Sequence, residues 1–456
     1  MKDKNVIIVG GGLAGLAASV HLAKAGIRVK LVEKRRFCGG RTCSTVDKKS
    51  GQVMDNCPHV LTTNYLHLLD YVKIIGTDRY LLFPEHMQML FRDPKLGPFW
   101  FRAPNLPAPF GGLGGLVAFG KLKNLSWKDK LCLLKASSKL VSAVVMNPQR
   151  LAKITADQWF EELKLTPGLR RSFWDWFVIG CTNEKPQRVS AWTFLQVLRW
   201  AFATRDMGRL GYFTTDLEAV FVAPAIEYIE SHGGEVITGM PLNEIKLDGN
   251  NRISSLRFKS DQEFAADAYI LALPPSPFGQ LIKGSNLEKD RFFSKVLSIE
   301  NAPIVGVNLW FDQPLATDNP WEGFLGTTIE ILFDHTKMSQ HPTDKGYCYT
   351  VGVSAAWEVK GMNKETFTQL ALDDLALQHP ESGNFKLLSS RMIKDPQATF
   401  SAVPGFEELR CSQKTPISNL FLAGDWTDTE LPSTMEAAVY SGVKAVKAVS
   451  QALEIH

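Results

Sequence analysis

The most constraining feature of the sequence is a glycine-rich turn between two short apolar runs near its start. Residues 5–9 read NVIIV, the β-branched run of a strand buried on both faces of a parallel sheet. Residues 10–15, GGGLAG, follow directly, and apolar residues then recur on one face of a predicted helix that ends at Gly26. A second predicted strand over 27–32 ends at Glu33. The pattern therefore predicts a βαβ unit that opens a parallel α/β sheet of the Rossmann type.

This unit has the residues that bind a dinucleotide. Gly10 permits the tight turn, Gly12 lets the backbone approach a pyrophosphate, and Gly15 lets helix and strand pack closely. The helix N-terminus then faces the phosphates. Glu33 can accept hydrogen bonds from both hydroxyls of an adenosine ribose. A glycine-rich turn followed by a surface glutamate is the alternative, but strand, helix, strand and acid in this order favour dinucleotide binding.

Composition excludes several classes of function. Lys and Arg number 51 and Asp and Glu 47, a net charge of +4, so nucleic acid is not an expected partner. The seven cysteines include no CxxC pair and the nine histidines no HxxxH pair, so we expect no disulfide framework and no metal. The start of the chain does not read as a secretory signal, and no apolar run reaches about 18 residues. We therefore expect a cytoplasmic protein.

Two further segments identify the cofactor by resemblance. Residues 37–41, FCGGR, and 421–426, FLAGDW, resemble the flavin-binding oxidoreductases of the amine oxidase and phytoene desaturase group. The resemblance implies noncovalent FAD, with the GGR segment along the pyrophosphate and the late Gly-Asp carboxylate at the ribityl or pyrophosphate region. It also places the backbone of Val236 against the adenine. The expected FAD-binding residues are Gly10, Gly12, Ala14, Gly15, Glu33, Gly40, Arg41, Val236, Gly424, Asp425, Thr434 and Met435.

A helix predicted to begin near Ser433 follows the Gly-Asp motif. Its free N–H groups and positive dipole end suit the electron-rich edge of a flavin ring. The same residues on their own equally fit an ordinary capped C-terminal helix.

The organisation predicted along the chain is discontinuous. Residues 1–80, 206–275 and 401–456 are expected to form the FAD-binding domain, and residues 81–205 and 276–400 an inserted mixed α+β substrate domain. Residues 98–110 read as an irregular apolar loop, within an apolar, possible membrane-facing segment near 98–145. Lysines interleave with apolar residues over 116–145, which fits either an anionic membrane surface or a solvated helix face.

Five segments carry a narrower resemblance: DNCPHVL at 55–61, TNE at 182–184 with RVSA at 188–191, GVNLWFDQP at 306–314, KDPQATFS at 394–401 and GDWTDT at 424–429. They resemble one branch of the group, the hydroxysqualene dehydroxylases or squalene-associated FAD-dependent desaturases. This branch usually has Asp-Asn-Gly-Gln-His at the first of these segments, where this chain has Cys57 and Pro58 in the middle.

The resemblance implies reductive removal of the allylic hydroxyl of hydroxysqualene to give squalene, a precursor of hopanoids, sterols and carotenoids. It further implies a long apolar isoprenoid substrate, an external electron donor such as NAD(P)H or a reductase protein, and peripheral attachment to a membrane surface. Such a site needs an acid or hydrogen-bond donor that helps the hydroxyl leave as water.

His59 is the expected polar group beside the flavin, with Asp55 as the residue that orients it. A buried structural histidine explains His59 equally well. Glu184 and Glu330 are further candidates, each also explained by a structural or solvent-facing role. Two other functions stay open: a carotenoid-type desaturase or flavin amine oxidase that takes hydride from its substrate, and a lipid-binding escort protein without redox activity.

Overall fold

A computed structural model describes residues 4–47, 51–104, 113–146, 148–202, 208–338 and 346–454. It contains a five-stranded sheet in which every neighbouring pair of strands is parallel. In spatial order the strands are Glu235–Ile237, Arg28–Val32, Asn5–Val9, Ala268–Leu271 and Leu420–Leu422. Three separate stretches of the chain therefore build one sheet, and the prediction of a Rossmann-type α/β fold is confirmed. The exact domain boundaries stay a prediction.

The first and last helices pack together on this sheet. Leu13–Lys24 starts at the glycine-rich turn, and Met435–Ala452 follows the last strand. A Cβ atom on Gly442 would lie 2.5 Å from the carbonyl oxygen of Ala14, so only glycine permits this close approach of the two helices. The packing places both helix N-termini beside the carboxyl ends of the strands, where open α/β sheets bind ligands.

A second large sheet has seven strands, all outside the parallel sheet. In spatial order they are Leu387–Phe400, Asn301–Phe311, Tyr347–Val353, Ile331–Asp334, Trp321–Phe324, Met87–Asp93 and Gly97–Ala103. Smaller sheets are formed by Leu242–Leu247, Ile253–Phe258 and Glu263–Phe264, by Ser44–Val46 and Val53–Asp55, and by Leu61–Thr62, Leu210–Phe213 and Leu81–Leu82.

Helices fill the segments between these sheets. The other α-helices are Leu66–Ile74, Leu113–Lys121, Trp127–Met146, Ala156–Glu162, Pro167–Leu169, Asp175–Thr182, Ala191–Phe202, Leu217–Phe221, Ala223–Ser231, Pro275–Gly284, Arg291–Ser294, His335–Met338, Lys364–Gln378 and Phe406–Leu409. A π-helical turn, Arg170–Trp174, joins two of them. No helix in the described part of the chain is long and apolar enough to cross a membrane.

The prediction of an irregular loop over 98–110 is wrong for its first part. Gly97–Ala103 is an edge strand paired antiparallel with Met87–Asp93. Pro98 fits because it stands near the start of an edge strand, where a missing backbone N–H costs little. The prediction failed because pairing with the preceding strand, across the short connection at 94–96, decides the conformation, and a proline-rich apolar run does not by itself indicate that pairing. Residues 105–112 lie outside the described residues.

Candidate functional site

The glycine-rich turn leaves an open, electropositive space at the first helix. Gly10 has a φ of 110°, and a Cβ atom there would lie 2.4 Å from the carbonyl oxygen of Ala272. A Cβ on Gly15 would lie 1.9 Å from the carbonyl oxygen of Gly10. Around Gly12, in contrast, the nearest atom, the Cα of Gly40, would be 4.0 Å from a Cβ. No side chain of the described residues caps this helix, so its first N–H groups can face an anion.

Glu33 is tied to this turn by both carboxylate oxygens. Oε2 accepts a hydrogen bond from the backbone N–H of Gly11 at 2.7 Å, and Oε1 accepts one from Arg35 at 2.9 Å. The residue is only 7% exposed. Each carboxylate oxygen has a second lone pair that can accept from a ribose hydroxyl. Glu33 therefore orders the loop and keeps the acceptor capacity that a ribose needs.

An ion pair joins the GGR segment to the Gly-Asp segment. Arg41 donates from Nη2 to Oδ1 of Asp425 at 2.8 Å and from Nη1 to the carbonyl oxygen of Ala398 at 2.9 Å. Ser433 donates to the other oxygen of Asp425. Gly424 has a φ of 136°, a backbone conformation that glycine favours. Gly40, with a φ of 58°, lies close to Gly12.

The two charges of this pair stabilise each other. Asp425 raises the pKa of the Arg41 guanidinium, although burial acts in the opposite direction. Burial raises the pKa of Asp425, but the charge of Arg41 and the hydrogen bonds from Arg41 and Ser433 together lower it below its ordinary value. The Asp425 carboxyl is therefore ionised at neutral pH and accepts hydrogen bonds only.

The last helix begins at Met435, with Thr434 as its N-cap. The start near Ser433 that the sequence predicts is therefore correct to within two residues. Thr434 accepts a hydrogen bond from the N–H of Ala437 at 3.1 Å. Val236 lies half-buried in the edge strand of the parallel sheet, opposite Leu31. These positions flank the same end of the sheet as the glycine-rich turn.

Glu436 is a residue of this region that the sequence analysis missed. Its carboxylate is buried and accepts from the backbone N–H of His67 at 3.1 Å and of Leu68 at 2.8 Å. The Nδ1 atom of His67 is 2.8 Å from the same carboxylate, and the His67 ring lies against Tyr440. Glu436 thus caps the helix Leu66–Ile74 from a different helix, 369 residues away in the chain. No sequence spacing indicates this contact.

Asp55 and His59 come together at one pocket of about 430 Å³, part of it open to solvent. The pocket lies where the hairpin that ends at Asp55 meets the short helix His335–Met338. His335 is thus another residue that the sequence analysis missed. The lining residues are Val53, Asp55, Pro58, His59, Phe213, Thr215, Asp216, His335 and Met338.

The expected contact between Asp55 and His59 is not formed at the Nδ1 atom of His59. Oδ1 of Asp55 accepts instead from Ser44 Oγ at 2.7 Å and from the N–H of Leu217 at 3.0 Å. The Nδ1 atom of His59 is buried and has no hydrogen-bond partner among the described residues. The helix Leu217–Phe221 begins beside Asp55, and the first N–H groups of a helix have no acceptor within the helix. The Asp55 carboxylate is therefore hydrogen-bonded to this helix and not to His59 Nδ1.

Burial changes the protonation of both pocket residues. It lowers the pKa of His59 to about 4, and the positive charge of Arg41 acts in the same direction. It raises the pKa of Asp55 to about 6, although the hydrogen bonds from Leu217 and Ser44 oppose the change. His59 is therefore a neutral imidazole at neutral pH, whereas Asp55 exchanges a proton just below it.

Glu184 and Glu330 lie apart from this pocket. Glu184 is fully buried and accepts from the indole N–H of Trp357 at 2.9 Å and from the Ser401 hydroxyl. Glu330 accepts from the N–H of Ser354 at 2.9 Å, and burial raises its pKa to about 8. Neither residue lines the pocket of Asp55 and His59. Among the described residues, no group of three or more His, Cys, Asp or Glu side chains converges as a metal site would require.

Comparisons with known proteins agree with this geometry. Residues 13–450 match the family of flavin containing amine oxidoreductases. The chain is 24% identical to 15-cis-phytoene desaturase of Synechococcus elongatus over 459 residues, which are 97% of this chain and 95% of that protein. It is 26% identical to zeta-carotene desaturase of Synechocystis sp. over 477 residues, 97% of this chain and 96% of that protein. The structure of putrescine oxidase superposes with a TM-score of 0.76 at 15% identity, covering 98% of this chain and 99% of the other.

The fold and the family together define an FAD-dependent oxidoreductase. The chain belongs to the family of flavin containing amine oxidoreductases, because the family model spans nearly its whole length. Within that family it falls in the amine oxidase and carotenoid desaturase group. The open glycine turn, the uncapped helix and the Arg41–Asp425 pair fit a dinucleotide with a ribityl chain, so FAD as cofactor agrees with both sequence and geometry.

Proposed function

We propose that this oxidoreductase removes the allylic hydroxyl of hydroxysqualene and gives squalene. One observation carries the proposal: the pocket of Asp55 and His59, where the charge of Arg41 acts on His59, contains a neutral imidazole and a carboxyl group with a pKa of about 6. A pure hydrocarbon substrate makes no use of such groups, whereas a departing hydroxyl needs a hydrogen-bond donor and a proton. The resemblance of five segments to the hydroxysqualene dehydroxylases supports the same reaction.

We propose that FAD lies across the carboxyl ends of the parallel strands. Gly12, Ala14 and the N–H groups of the first helix would face its pyrophosphate, and Glu33 its adenosine ribose. Val236 would meet the adenine, and Asp425 the ribityl chain. The remaining expected residues, Gly10, Gly15, Gly40, Arg41, Gly424, Thr434 and Met435, shape or flank this binding site. Reduced FAD supplies the hydride that replaces the hydroxyl group.

In this proposal the protein supplies the proton. As the carbon–oxygen bond breaks, the hydroxyl oxygen takes a proton from Asp55 and leaves as water. His59, neutral because it is buried, donates a hydrogen bond to the same oxygen. Solvent reprotonates the Asp55 carboxylate through the open side of the pocket.

We further propose that residues 81–205 and 276–400 hold the isoprenoid chain and that an external donor reduces the flavin. NAD(P)H or a reductase protein fits this role, since no second nucleotide-binding pattern occurs in the sequence. The protein would be cytoplasmic and attached to a membrane surface.

Membrane attachment is supported by the outer stripe of the helix Trp127–Met146. We give this name to Trp127, Leu134, Val141 and Val145, which are 61–77% exposed and recur at helical spacing. The opposite face of the helix is buried in the protein. The stripe is flanked by three exposed lysines: Lys128, Lys135 and Lys139. An exposed apolar stripe beside lysines is typical of a helix that lies on an anionic bilayer.

The second candidate is a carotenoid-type desaturase, which takes hydride from its substrate. The similarity to phytoene and zeta-carotene desaturases favours it. Anaerobic mixing of photoreduced protein with hydroxysqualene separates the two. A dehydroxylase oxidises its flavin and releases one squalene per flavin in a single turnover. Reduced flavin that persists without squalene formation would contradict the proposal, and reduction of oxidised flavin by phytoene would support the desaturase.

A further inference from the structure

Arg410 is a buried arginine beside the loop 425–431, which leads from the Gly-Asp turn toward the last helix. Its side chain is only 2% exposed. Nη1 donates to the carbonyl oxygen of Asp425 at 3.3 Å and to that of Thr427 at 2.9 Å, and Nη2 donates to that of Leu431 at 2.6 Å. One guanidinium group therefore holds both the first and the last residue of this loop.

The guanidinium group is itself fixed by three further side chains. Its Nε atom donates to Oε2 of Glu407 at 2.8 Å. Its central carbon lies 4.7 Å from the centre of the Phe406 ring and 5.2 Å from that of Phe400. A buried charge is costly unless it is paired and hydrogen-bonded, and these contacts compensate it. The planar fork of arginine suits this place better than the compact ammonium group of lysine.

The loop contains a residue whose backbone conformation needs support from outside. Glu430 has a φ of 60°, in the left-handed region that residues other than glycine rarely adopt. Such a conformation persists where surrounding contacts impose it. Arg410 binds the carbonyl oxygen of the next residue, Leu431, and Gln413 donates to the Thr427 hydroxyl at 2.9 Å. Two side chains of a neighbouring segment thus hold the loop in place.

Asp425 is the residue through which these contacts reach the expected flavin site. Its carboxylate accepts from Arg41 and Ser433, whereas its backbone carbonyl accepts from Arg410. Two arginines therefore hold the same residue at different atoms. A shift of this backbone would move the carboxylate that is proposed to meet the ribityl chain. Binding groups lose their function when they move by about 1 Å, so they need supporting contacts of this kind.

We infer that Arg410 is a positioning residue of the FAD site, which holds the loop 425–431 so that Asp425 is placed for the cofactor. The inference rests on the proposed placement of FAD and not on the proposed reaction. Arg410 acts through the loop, since three of its hydrogen bonds go to loop carbonyls and the fourth goes to Glu407. An arginine with only a structural role would stabilise the fold without changing the FAD affinity of the folded protein.

Titration of the apoprotein with FAD, followed by flavin fluorescence, tests the inference without turnover. Arg410→Lys, which keeps the charge but not the fork, should weaken FAD binding roughly 5- to 150-fold. Arg92→Lys is the matched control. Arg92 is 12% exposed in its side chain and donates to the Glu322 carboxylate and to the carbonyl of Ala316, but it lies in the seven-stranded sheet. Its variant should bind FAD within about twofold of the parent.

A double-mutant cycle tests whether Arg410 acts through Asp425. In the Arg410→Lys background, Asp425→Asn should weaken FAD binding by a factor at least about twofold smaller than it does alone, because coupled residues are not additive. Glu33 lies after a strand that is separated from Leu420–Leu422 by two other strands, and it shares no hydrogen-bond partner with Arg410 among the described residues. Glu33→Ala should therefore have the same effect in both backgrounds, to within about twofold.

Three results would overturn the inference alone, each obtained with an Asp425→Asn variant that binds FAD more weakly than the parent. They are an Arg410→Lys affinity within about twofold of the parent, additive effects of Arg410→Lys and Asp425→Asn, and an equal loss of affinity in Arg92→Lys. If Arg410→Lys does not fold, Glu407→Gln decides. It removes the charge that pairs with Arg410 and should weaken FAD binding in the same non-additive way, so parent-like affinity of this variant would overturn the inference.

The same measurements distinguish this failure from a failure of the proposed cofactor placement. An Asp425→Asn variant with parent-like FAD affinity would overturn the proposed place of the ribityl chain together with the role of Arg410. No substrate is added, so these titrations are independent of whether the protein forms squalene in the single-turnover experiment.

Discussion

Arg41 donates a hydrogen bond of 2.8 Å to Asp425 across 384 residues of chain, which joins the GGR segment to the Gly-Asp segment. The pair ties the start of the fold to its end at the place where FAD is proposed to lie. Asp425 is 5% exposed in its side chain and Arg41 41%, so solvent partly screens the attraction. The free energy of unfolding should therefore depend on this contact, and the contribution of the contact should change with pH.

Asp425→Asn should lower the free energy of unfolding by about 1–3 kcal/mol at pH 7, the usual cost of a hydrogen bond to a charged group. Because the folded state lowers the pKa of Asp425, its contribution is fully present above the unfolded pKa of about 3.9 and is lost as pH falls through the folded pKa. Denaturant unfolding of parent and variant, at pH 7 and again below pH 4, measures the difference between their free energies of unfolding. That difference should be smaller at the lower pH. Glu162→Gln, in the exposed pair with Arg150, should change stability by about 1 kcal/mol or less. A difference independent of pH would contradict the ionic role.

Glu33→Ala should weaken FAD binding, because it removes the acceptor for the Gly11 and Arg35 N–H groups and for the ribose. The expected loss is about 1–3 kcal/mol, or roughly 5- to 150-fold in the dissociation constant. Titration of the apoprotein with FAD, followed by flavin fluorescence, gives the value. Glu235→Ala, in the adjacent strand, removes an exposed carboxylate that forms an ion pair with half-buried Lys30, and this variant should bind FAD like the parent. Equal affinity of Glu33→Ala and parent would rule out this role for Glu33.

His59→Ala should slow reoxidation of the reduced flavin by hydroxysqualene about 10²- to 10⁴-fold, the usual effect of a positioned proton or hydrogen-bond donor. FAD affinity should barely change, since His59 lines the pocket and its Nδ1 atom makes no hydrogen bond within the described residues. Stopped-flow reoxidation and FAD occupancy are measured on the same preparation, with His232→Ala at an exposed site as the control. Low occupancy with a near-normal rate in the folded fraction would instead indicate a histidine that merely packs.

Asp55→Asn should change the pH profile of the same reaction. In the parent, the rate should fall as pH rises through about 6, because the carboxyl that donates the proton becomes ionised there. Asparagine keeps the acceptor oxygen for Ser44 and Leu217, so the helix Leu217–Phe221 should stay capped. The variant should therefore fold normally, react slowly and lack the inflection near pH 6. An inflection that persists in Asp55→Asn would assign the proton to another group.

Replacement of Leu134, Val141 and Val145 by serine should release the protein from anionic vesicles in sedimentation. Each exposed apolar residue contributes through the area it buries in the bilayer. Replacement of the three flanking lysines by glutamine should weaken binding by about 1 kcal/mol per residue and remove its dependence on salt. Leu377→Ser, at an exposed leucine on another helix, is the control. Unchanged sedimentation of the serine variant would exclude the outer stripe as the membrane contact.

The local chemistry of the first βαβ unit made its structure predictable. Gly15 is required by its close approach to the nearby Gly10, Gly10 is favoured by its own positive φ, and the pattern of apolar residues indicates strand and helix there. The start of the last helix was predicted to within two residues because its capping residue, Thr434, is adjacent to it. The strand over 97–103 was not predicted, because an apolar run near a proline becomes a strand only when it pairs with a neighbouring strand.

The sequence by itself determined the parallel α/β fold and a dinucleotide-binding turn, because both depend on short-range spacing of glycines, acids and apolar residues. The flavin cofactor and the class of enzyme followed from the resemblance of the segments at 37–41 and 421–426 to a known group. Only the tertiary structure decided which polar groups share a pocket. In the folded chain, His335 and His59 line the same pocket, and Asp55 accepts a hydrogen bond from the first N–H of a helix. Glu436 is buried and accepts a hydrogen bond from Leu68. These contacts join residues far apart in the chain, and burial then sets the protonation of His59 and Asp55. The desolvation of a group depends on all the atoms that pack around it, and the spacing of residues along the chain does not indicate which atoms these are.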